Sequence, residues 1–312
     1  MTEQRPQPAV TERPENGFRS YYAKAVIKEP TWTWEVPWYL FLGGLSGASS
    51  LLSLAARLRG DEELARRALW VALGGATVSP VLLILDLGRP ERFYNMLRVF
   101  KPTSPMSLGT WILSAFGALT GAAVVCDLFD VFPRLRVLLE GGSALLGPPL
   151  ATYTAVLITD TSVPVWHEAR RELPFVFAAS AAASAGGVAM LVNPTKDVPV
   201  ARRLAVGGGL LEVVGSELMK RRLGELLSEP YRKEKAGRYE KLSVVLSVAG
   251  VTTVGLLGQK SRTASLVGGA AVLAGAVLKR WSVFEAGFQS ARDPRYTVMP
   301  QRERLRRRTD AS

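Results

Sequence analysis

The apolar residues of this chain come in blocks and not at a helical or strand period over a polar background. Uncharged runs occupy 36–56, 68–85, 102–126, 141–159, 173–195 and 242–259. Each is near the ~20 residues that a helix needs to cross a ~30 Å hydrocarbon layer. Two further runs are less clean. The run 204–219 is apolar except for Glu212 and Glu217, and 263–278 continues past Lys279 and Arg280 into Trp281, Val283 and Phe284. The pattern predicts an all-α integral membrane protein of eight transmembrane helices.

Composition changes this picture little. The mean hydropathy is only +0.14, because the N-terminal 35 residues, the 220–241 segment and the tail are strongly polar. The first thirty residues mix charges and hold no apolar h-region, so the first span is expected to direct insertion without a cleavable signal. The net charge of +12 would suit nucleic acid, yet the Lys and Arg flank the apolar runs and build no basic domain. With eight helices, the N-terminus, the loops 86–101, 160–172 and 220–241, and the tail share one face. That face carries 26 Lys and Arg against 11 on the other. By the positive-inside tendency both termini are expected in the cytoplasm, the protein being multi-pass in the cell inner (plasma) membrane.

The links between spans are short, which leaves one membrane domain, 36–288, between an N-terminal arm, 1–35, and a basic C-terminal tail, 289–312. An internal echo joins "WEVPWYLFLGGLSGASSLL" at 34–52 to "RELPFVFAASAAASAGGVA" at 171–189. An offset of four spans preserves orientation and predicts two four-helix halves. Small residues at spacings of three and four, such as Gly43, Gly44, Gly47 and Ala48, read as helix packing in lipid.

The chemistry-bearing residues gather at one set of helix ends. Glu35 sits among Trp32, Trp34, Trp38 and Tyr39; an interfacial aromatic belt explains the rings but not the carboxylate. The stretch "LDLGRPERFYNMLRVFKPTSPMS", beginning at Leu85, interleaves Asp86, Arg89, Glu91, Arg92, Arg98 and Lys101 with apolar and aromatic residues. Asp86 at a membrane edge can pair with Arg89 at helical spacing, serve function, or both. Tyr153 lies about two turns below Asp160, too deep for a belt; its phenol can bond a neighbouring helix or donate to a ligand carbonyl. His167, beside Glu168, is the only histidine, which excludes bis-histidine haem; it reads as a proton relay or as a solvated loop residue. Glu212 and Glu217 are five apart and face different ways, Glu217 toward Arg221; Glu212 reads as a proton-path member or as a locally paired acid. Cys126 alone supplies no disulfide, structural zinc site or iron–sulfur cluster, and no metal site is expected.

The segments "WEVPWYLFLGGLSGAS", "LDLGRPERFYNMLRVFKPTSPMSLGTWIL" and "GPPLATYTAVLITDTSVPVWHE" resemble the NrfD-like family of membrane subunits, of the polysulfide reductase type. The resemblance implies a haem-free, quinone-reactive subunit of an oxidoreductase. Such a subunit docks on a four-cluster iron–sulfur protein that exchanges electrons with a molybdenum or tungsten catalytic subunit. It implies that Tyr153 bonds the quinone, with Tyr39, Trp34 and Arg89 lining its site, and that Glu35, Asp86 and His167 handle protons. Menaquinone is the expected quinone, formate oxidation the expected reaction at the catalytic partner, and membrane lipid the surroundings. An eight-helix transporter or proton-conducting protein, and an inert anchor, are the other readings. A transporter would need broken helices at mid-span in both halves.

Overall fold

The computed structural model describes residues 26–193 and 198–309. Arg5, Arg13, Arg19 and Lys24, which belong to the basic count above, and Thr195, at the end of an apolar run, lie outside them. Among the described residues every regular element is helical. The order is α1 (Glu35–Leu58), α2 (Glu62–Leu85), a 3-10 turn at Pro90–Arg92, α3 (Asn95–Arg98), α4 (Pro105–Leu128), α5 (Pro133–Thr159), α6 (Pro164–Glu168), a 3-10 turn at Ala169–Arg171, α7 (Leu173–Val192), α8 (Pro199–Ser228), a 3-10 turn at Glu229–Tyr231, α9 (Glu234–Leu257), α10 (Arg262–Arg292) and α11 (Arg295–Thr309). Eight of these helices have 20 residues or more. Six of them, α1, α2, α4, α7, α9 and α10, are both long and apolar enough to cross a membrane. The other two, α5 and α8, have the length, 27 and 30 residues, but are less apolar, α5 through Pro148, Pro149 and its small and hydroxyl residues and α8 through its charges.

Local chemistry sets the ends. Asp61 caps α2 by accepting from Leu64 N at 3.1 Å, Ser104 caps α4 ahead of Pro105, and Ser261 caps α10. Proline opens α4, α5 and α8, where its missing N–H costs nothing. The polar 220–241 stretch, expected as a loop, is mostly helix: α8 runs to Ser228 and α9 starts at Glu234. Glu217 ties Lys220 and Arg221 into the helix from one turn back, and Leu223 and Leu227 are buried. Gly224, at φ +74, lets α8 bend there. The tail is the helix α11, held to α6 by an Arg304–Glu168 ion pair.

Sequential long helices pack as neighbours, and α1 also lies against α5, α7 and α10. The α1–α5 crossing is close: Gly47 and Gly147 face each other so nearly that a Cβ on either would overlap the other's carbonyl oxygen. At the motif-bearing end an apolar cluster joins Tyr39, Phe116, Tyr153, Trp166, Phe177 and Phe284. Trp166 is fully buried, donates from Nε1 to the Val283 carbonyl at 2.7 Å, and has room only because position 287 is glycine.

The opposite end is held by charge. Arg57 Nε donates to Glu140 Oε2 at 2.7 Å, and its Nη2 lies 3.2 Å from Asp127 Oδ1. Arg66 and Arg136 reach the same aspartate at 2.8 and 3.0 Å, and Glu62 pairs with Arg57. Four helices, α1, α2, α4 and α5, are thereby tied at one point. Two outcomes follow for thermal unfolding in detergent. Gly47→Ala should cost about 1–3 kcal/mol by forcing α1 off α5, whereas Gly74→Ala, where a methyl meets nothing within 4 Å, should be neutral or stabilising. Glu140→Ala should cost about 3–5 kcal/mol, because it leaves Arg57 buried without its main partner; the exposed Glu63→Ala should cost less than about 1 kcal/mol.

Candidate functional site

The α1–α5 crossing fixes where the aromatic hydroxyls meet. From Gly47 the chain rises about 12 Å along α1 to Tyr39, and from Gly147 about 9 Å along α5 to Tyr153, at 1.5 Å per residue. The two helices run in opposite senses, so both tyrosines lie on the same side of the crossing, and their phenols interact. Both rings are buried, Tyr39 to 1% and Tyr153 to 6% exposure. The Tyr39 hydroxyl is fully buried and faces the Tyr153 phenol, closing no hydrogen bond of ordinary geometry among the described residues. Val36, Leu82, Leu113, Phe116 and Leu150 belong to the same apolar cluster. Gly109 of α4 makes the space for Tyr153: a Cβ there would overlap the phenol carbon and oxygen.

One helical turn before Tyr39, where α1 begins, Glu35 meets a second carboxylate. Asp86 follows the last residue of α2, and its Oδ1 accepts from the Thr33 amide at 3.1 Å. The Thr33 hydroxyl lies 3.3 Å from the same oxygen and also bonds Glu35, which opens α1. A single hydroxyl therefore stands between two acids drawn from different parts of the chain. Burial pushes the Asp86 carboxyl up, the two Thr33 bonds oppose this, and the neighbouring Glu35 charge adds to it; the net direction is above the ordinary value.

The structure gathers some of the sequence candidates and separates others. Tyr39 and Tyr153 meet, and Glu35 and Asp86 meet through Thr33. Arg89 is exposed and makes no ion pair with Asp86: the helix has stopped at Leu85 and Arg89 has left helical geometry, φ −139 and ψ 85, so the spacing of three no longer brings them together. Trp34 is exposed at 54%, at the surface beside Glu35. His167 is exposed too, and lines a separate hollow with Glu168, Tyr296 and Arg304 beneath α11. Its backbone carbonyl accepts from Arg170. Thr33 and Gly109 were not apparent from the sequence. The first has a signal only in the polar residue just ahead of Glu35; the second is one glycine among 29, and only the packing shows its role.

A carboxyl raised on folding, as Asp86 is, binds its proton more tightly in the folded chain. The stability it contributes is fully present below the unfolded value of about 3.9 and is lost as pH rises through the folded value. Asp86→Asn should flatten the pH dependence of the melting temperature over that mildly acidic window; an unchanged slope would mean that Asp86 is not the group responsible.

A family model described as "Polysulphide reductase, NrfD" matches residues 25–198, more than half of the chain and all of the residues of this site. Among curated proteins, the C subunit of polysulfide reductase from Wolinella succinogenes is 30% identical over 127 residues, 38% of this chain and 37% of that protein. Protein NrfD of Escherichia coli strain K12 is 31% identical over 93 residues, 27% of this chain and 29% of that protein. The match thus spans less than two fifths of either relative. The resemblance carried by the three segments quoted above holds, and with its six apolar helices the chain is a multi-pass membrane protein that belongs to the NrfD family.

Proposed function

We propose that this chain is the haem-free, quinone-reactive membrane subunit of a multisubunit oxidoreductase. It passes electrons between a partner iron–sulfur protein and the membrane quinone pool. The observation that carries the reading is the Tyr39–Tyr153 pair, in which two buried phenols face each other in apolar surroundings near a pair of acids. A quinone head has the matching chemistry: a flat apolar ring with carbonyls that accept from phenols. The residues present fit it.

When bound, the quinone supplies two-electron, two-proton redox chemistry, and the protein supplies position and electrostatics. Tyr153 donates toward a carbonyl and is held at its depth by Gly109. Tyr39, whose phenol faces that of Tyr153, offers its O–H in turn. Leu82, Leu113 and Phe116 keep the surroundings dry, which strengthens each polar contact. Glu35 and Asp86, joined by Thr33, hold protons at the aqueous edge. Trp34 and Arg89, being exposed, belong to the rim, and His167 serves in proton exchange with bulk water at the α11 side.

In this reading α5 and α8 also cross the membrane, giving eight spans in two four-helix halves, α1 to α5 and α7 to α10. Both termini lie in the cytoplasm at the plasma membrane. Membership in the family and a relative named as one subunit of a reductase support an assembly. We assign the partners as a four-cluster iron–sulfur subunit and a molybdenum or tungsten catalytic subunit, with menaquinone as the carrier and formate as the partner's substrate. The transporter reading is weaker because Pro80 and Pro148–Pro149 sit inside unbroken helices, and the bend at Gly224 is near a helix end.

The test is quinone-dependent oxidation of the co-purified iron–sulfur partner. Tyr153→Phe should lower kcat/KM by about 5–30-fold, the equivalent of about 1–2 kcal/mol for one lost hydrogen bond. Gly109→Ala should do the same by displacing the phenol, and Glu35→Gln should shift the pH profile of turnover. Gly117→Ala, at an open position of the same helix, should leave turnover unchanged. Full activity in Tyr153→Phe and Gly109→Ala with the assembly intact would move the assignment to an inert anchor.

A further inference from the structure

A second polar system lies in α7 to α10, away from the phenol pair. It starts at the surface. Glu217 is half exposed, at 51%, and its carboxylate is 3.1 Å from Lys220 Nζ. Lys220 is also 3.3 Å from Oε1 of Glu240, whose side chain is only 5% exposed. Glu240 in turn accepts from Lys279 Nζ at 2.8 Å on both oxygens, and from Ser282 Oγ at 3.1 Å. Ser216 bridges the pair, accepting from Lys279 at 3.0 Å and donating to Glu240 at 3.2 Å. Glu240, Lys279 and Ser216 are all buried.

One helical turn deeper on α8, four residues before Ser216 and on the same face, is Glu212, buried to 1% exposure. Its charged surroundings are Lys279 and Arg280 of α10 and Glu240 of α9, and Ser180 of α7 adjoins it. Neither cation is committed to it. Lys279 is engaged with Glu240, while Arg280 stacks on Phe177 and donates to the carbonyls of Leu40 and Phe177 at 3.3 and 3.1 Å. Ser180 Oγ faces the Glu212 carboxyl, yet three buried atoms here, Glu212 Oε1, Ser180 Oγ and Arg280 Nη1, close no hydrogen bond of ordinary geometry among the described residues. Buried polar groups are almost always bonded, and a buried water makes about three such bonds. An acid at this depth is costly unless it serves a pathway or finds a partner.

We propose that Glu212, Ser180 and Arg280 enclose a hydrated proton-exchange site, connected to the aqueous edge along Glu217, Lys220, Glu240, Lys279 and Ser216. A proton enters from bulk water at the Glu217–Lys220 edge. Glu240 takes up the proton through Lys220 and so releases the Ser216 hydroxyl, which turns toward the water on the Glu212 side. Ser216 then passes its proton through that water to the Glu212 carboxylate as Lys279 donates to Ser216 and regains a proton from Glu240. No charge is left behind at any hop. This site is separate from the quinone reading and does not depend on it. The resemblance-bearing segments end before α8, and the family match stops at residue 198, so neither assigns it.

The experiment uses the full chain in detergent with neither quinone nor partner. Dicyclohexylcarbodiimide, an apolar reagent that modifies carboxyls carrying a proton in lipid-like surroundings, is applied over a range of buffer pH, and the adducts are mapped by mass spectrometry. Labelling at Glu212 that is lost as the buffer is made alkaline is the expected result. The loss should follow the pH jump slowly in Ser216→Ala and in Glu240→Gln, and promptly in the native chain. Ser216→Ala keeps the Lys279–Glu240 pair, so it remains informative should Glu240→Gln fail to fold. No adduct at Glu212, labelling indifferent to buffer pH, or an unchanged response in a folded Ser216→Ala variant would overturn the proposal. A negative result here leaves the quinone assay untouched, and a negative quinone assay leaves this one untouched.

Discussion

Backbone contact between Gly47 and Gly147 is the constraint on which the rest of the site depends. In lipid, apolar side chains gain little by leaving the bilayer for one another, and helices hold together through close packing and shared hydrogen bonds. Two glycines facing each other allow α1 and α5 to approach more closely than any side chain would permit. That approach lets Tyr39 and Tyr153, on helices of opposite sense, reach one another above the crossing. Gly109 extends the same logic to α4, where the lack of a side chain admits the Tyr153 ring. The site is thus made as much by what is missing from three positions as by the phenols that fill the space.

The two ends of the first helices solve the problem of charge differently. At the end away from the phenols, Arg57, Arg66 and Arg136 meet Glu62, Asp127 and Glu140 in equal numbers, and nearly every polar atom has a partner. Such a network has little left to offer a ligand and acts as a clamp. At the phenol end Asp86 and Glu35 share one threonine hydroxyl, with no cation bonded to either among the described residues. Two acids in that arrangement are poorly compensated, which is costly for a scaffold and useful for a group that must take up and release a proton.

Much of this architecture could be read from the residues because lipid simplifies the rules. Uncharged runs of about twenty residues marked the cores of five of the six apolar helices and of α5, while the sixth, α10, was one of the two less clean runs because Lys279 and Arg280 interrupt it; the glycine-rich face of α1 was recognisable as packing. The quoted segments were enough to point to the family. Local pattern misleads where short range and long range compete. Asp86 and Arg89 look like a helical pair in one dimension, but Pro90 and the end of α2 separate them. The 220–241 stretch looked like a loop because it is rich in charge, yet its charges pair one turn apart and its leucines find a buried side. Thr33 between the two acids, and Gly109 beneath Tyr153, join positions more than forty residues apart. No periodicity encodes such contacts; they exist only once the helices have crossed.

The balance of satisfied and unsatisfied atoms also separates scaffold from chemistry in the second group of helices. Lys279 and Glu240 form an ion pair completed by Ser216 and Ser282, and taken alone it would be one more clamp. What distinguishes it is continuity: the pair is joined outward to the half-exposed Glu217 through Lys220, and inward, along one face of α8, to a carboxyl with an idle oxygen. A clamp gains nothing from reaching the surface, and a buried acid that served only packing would be better replaced by a leucine. A polar path that is wet at one end and incomplete at the other is arranged for movement of charge, and the unpartnered atoms mark where the moving species rests.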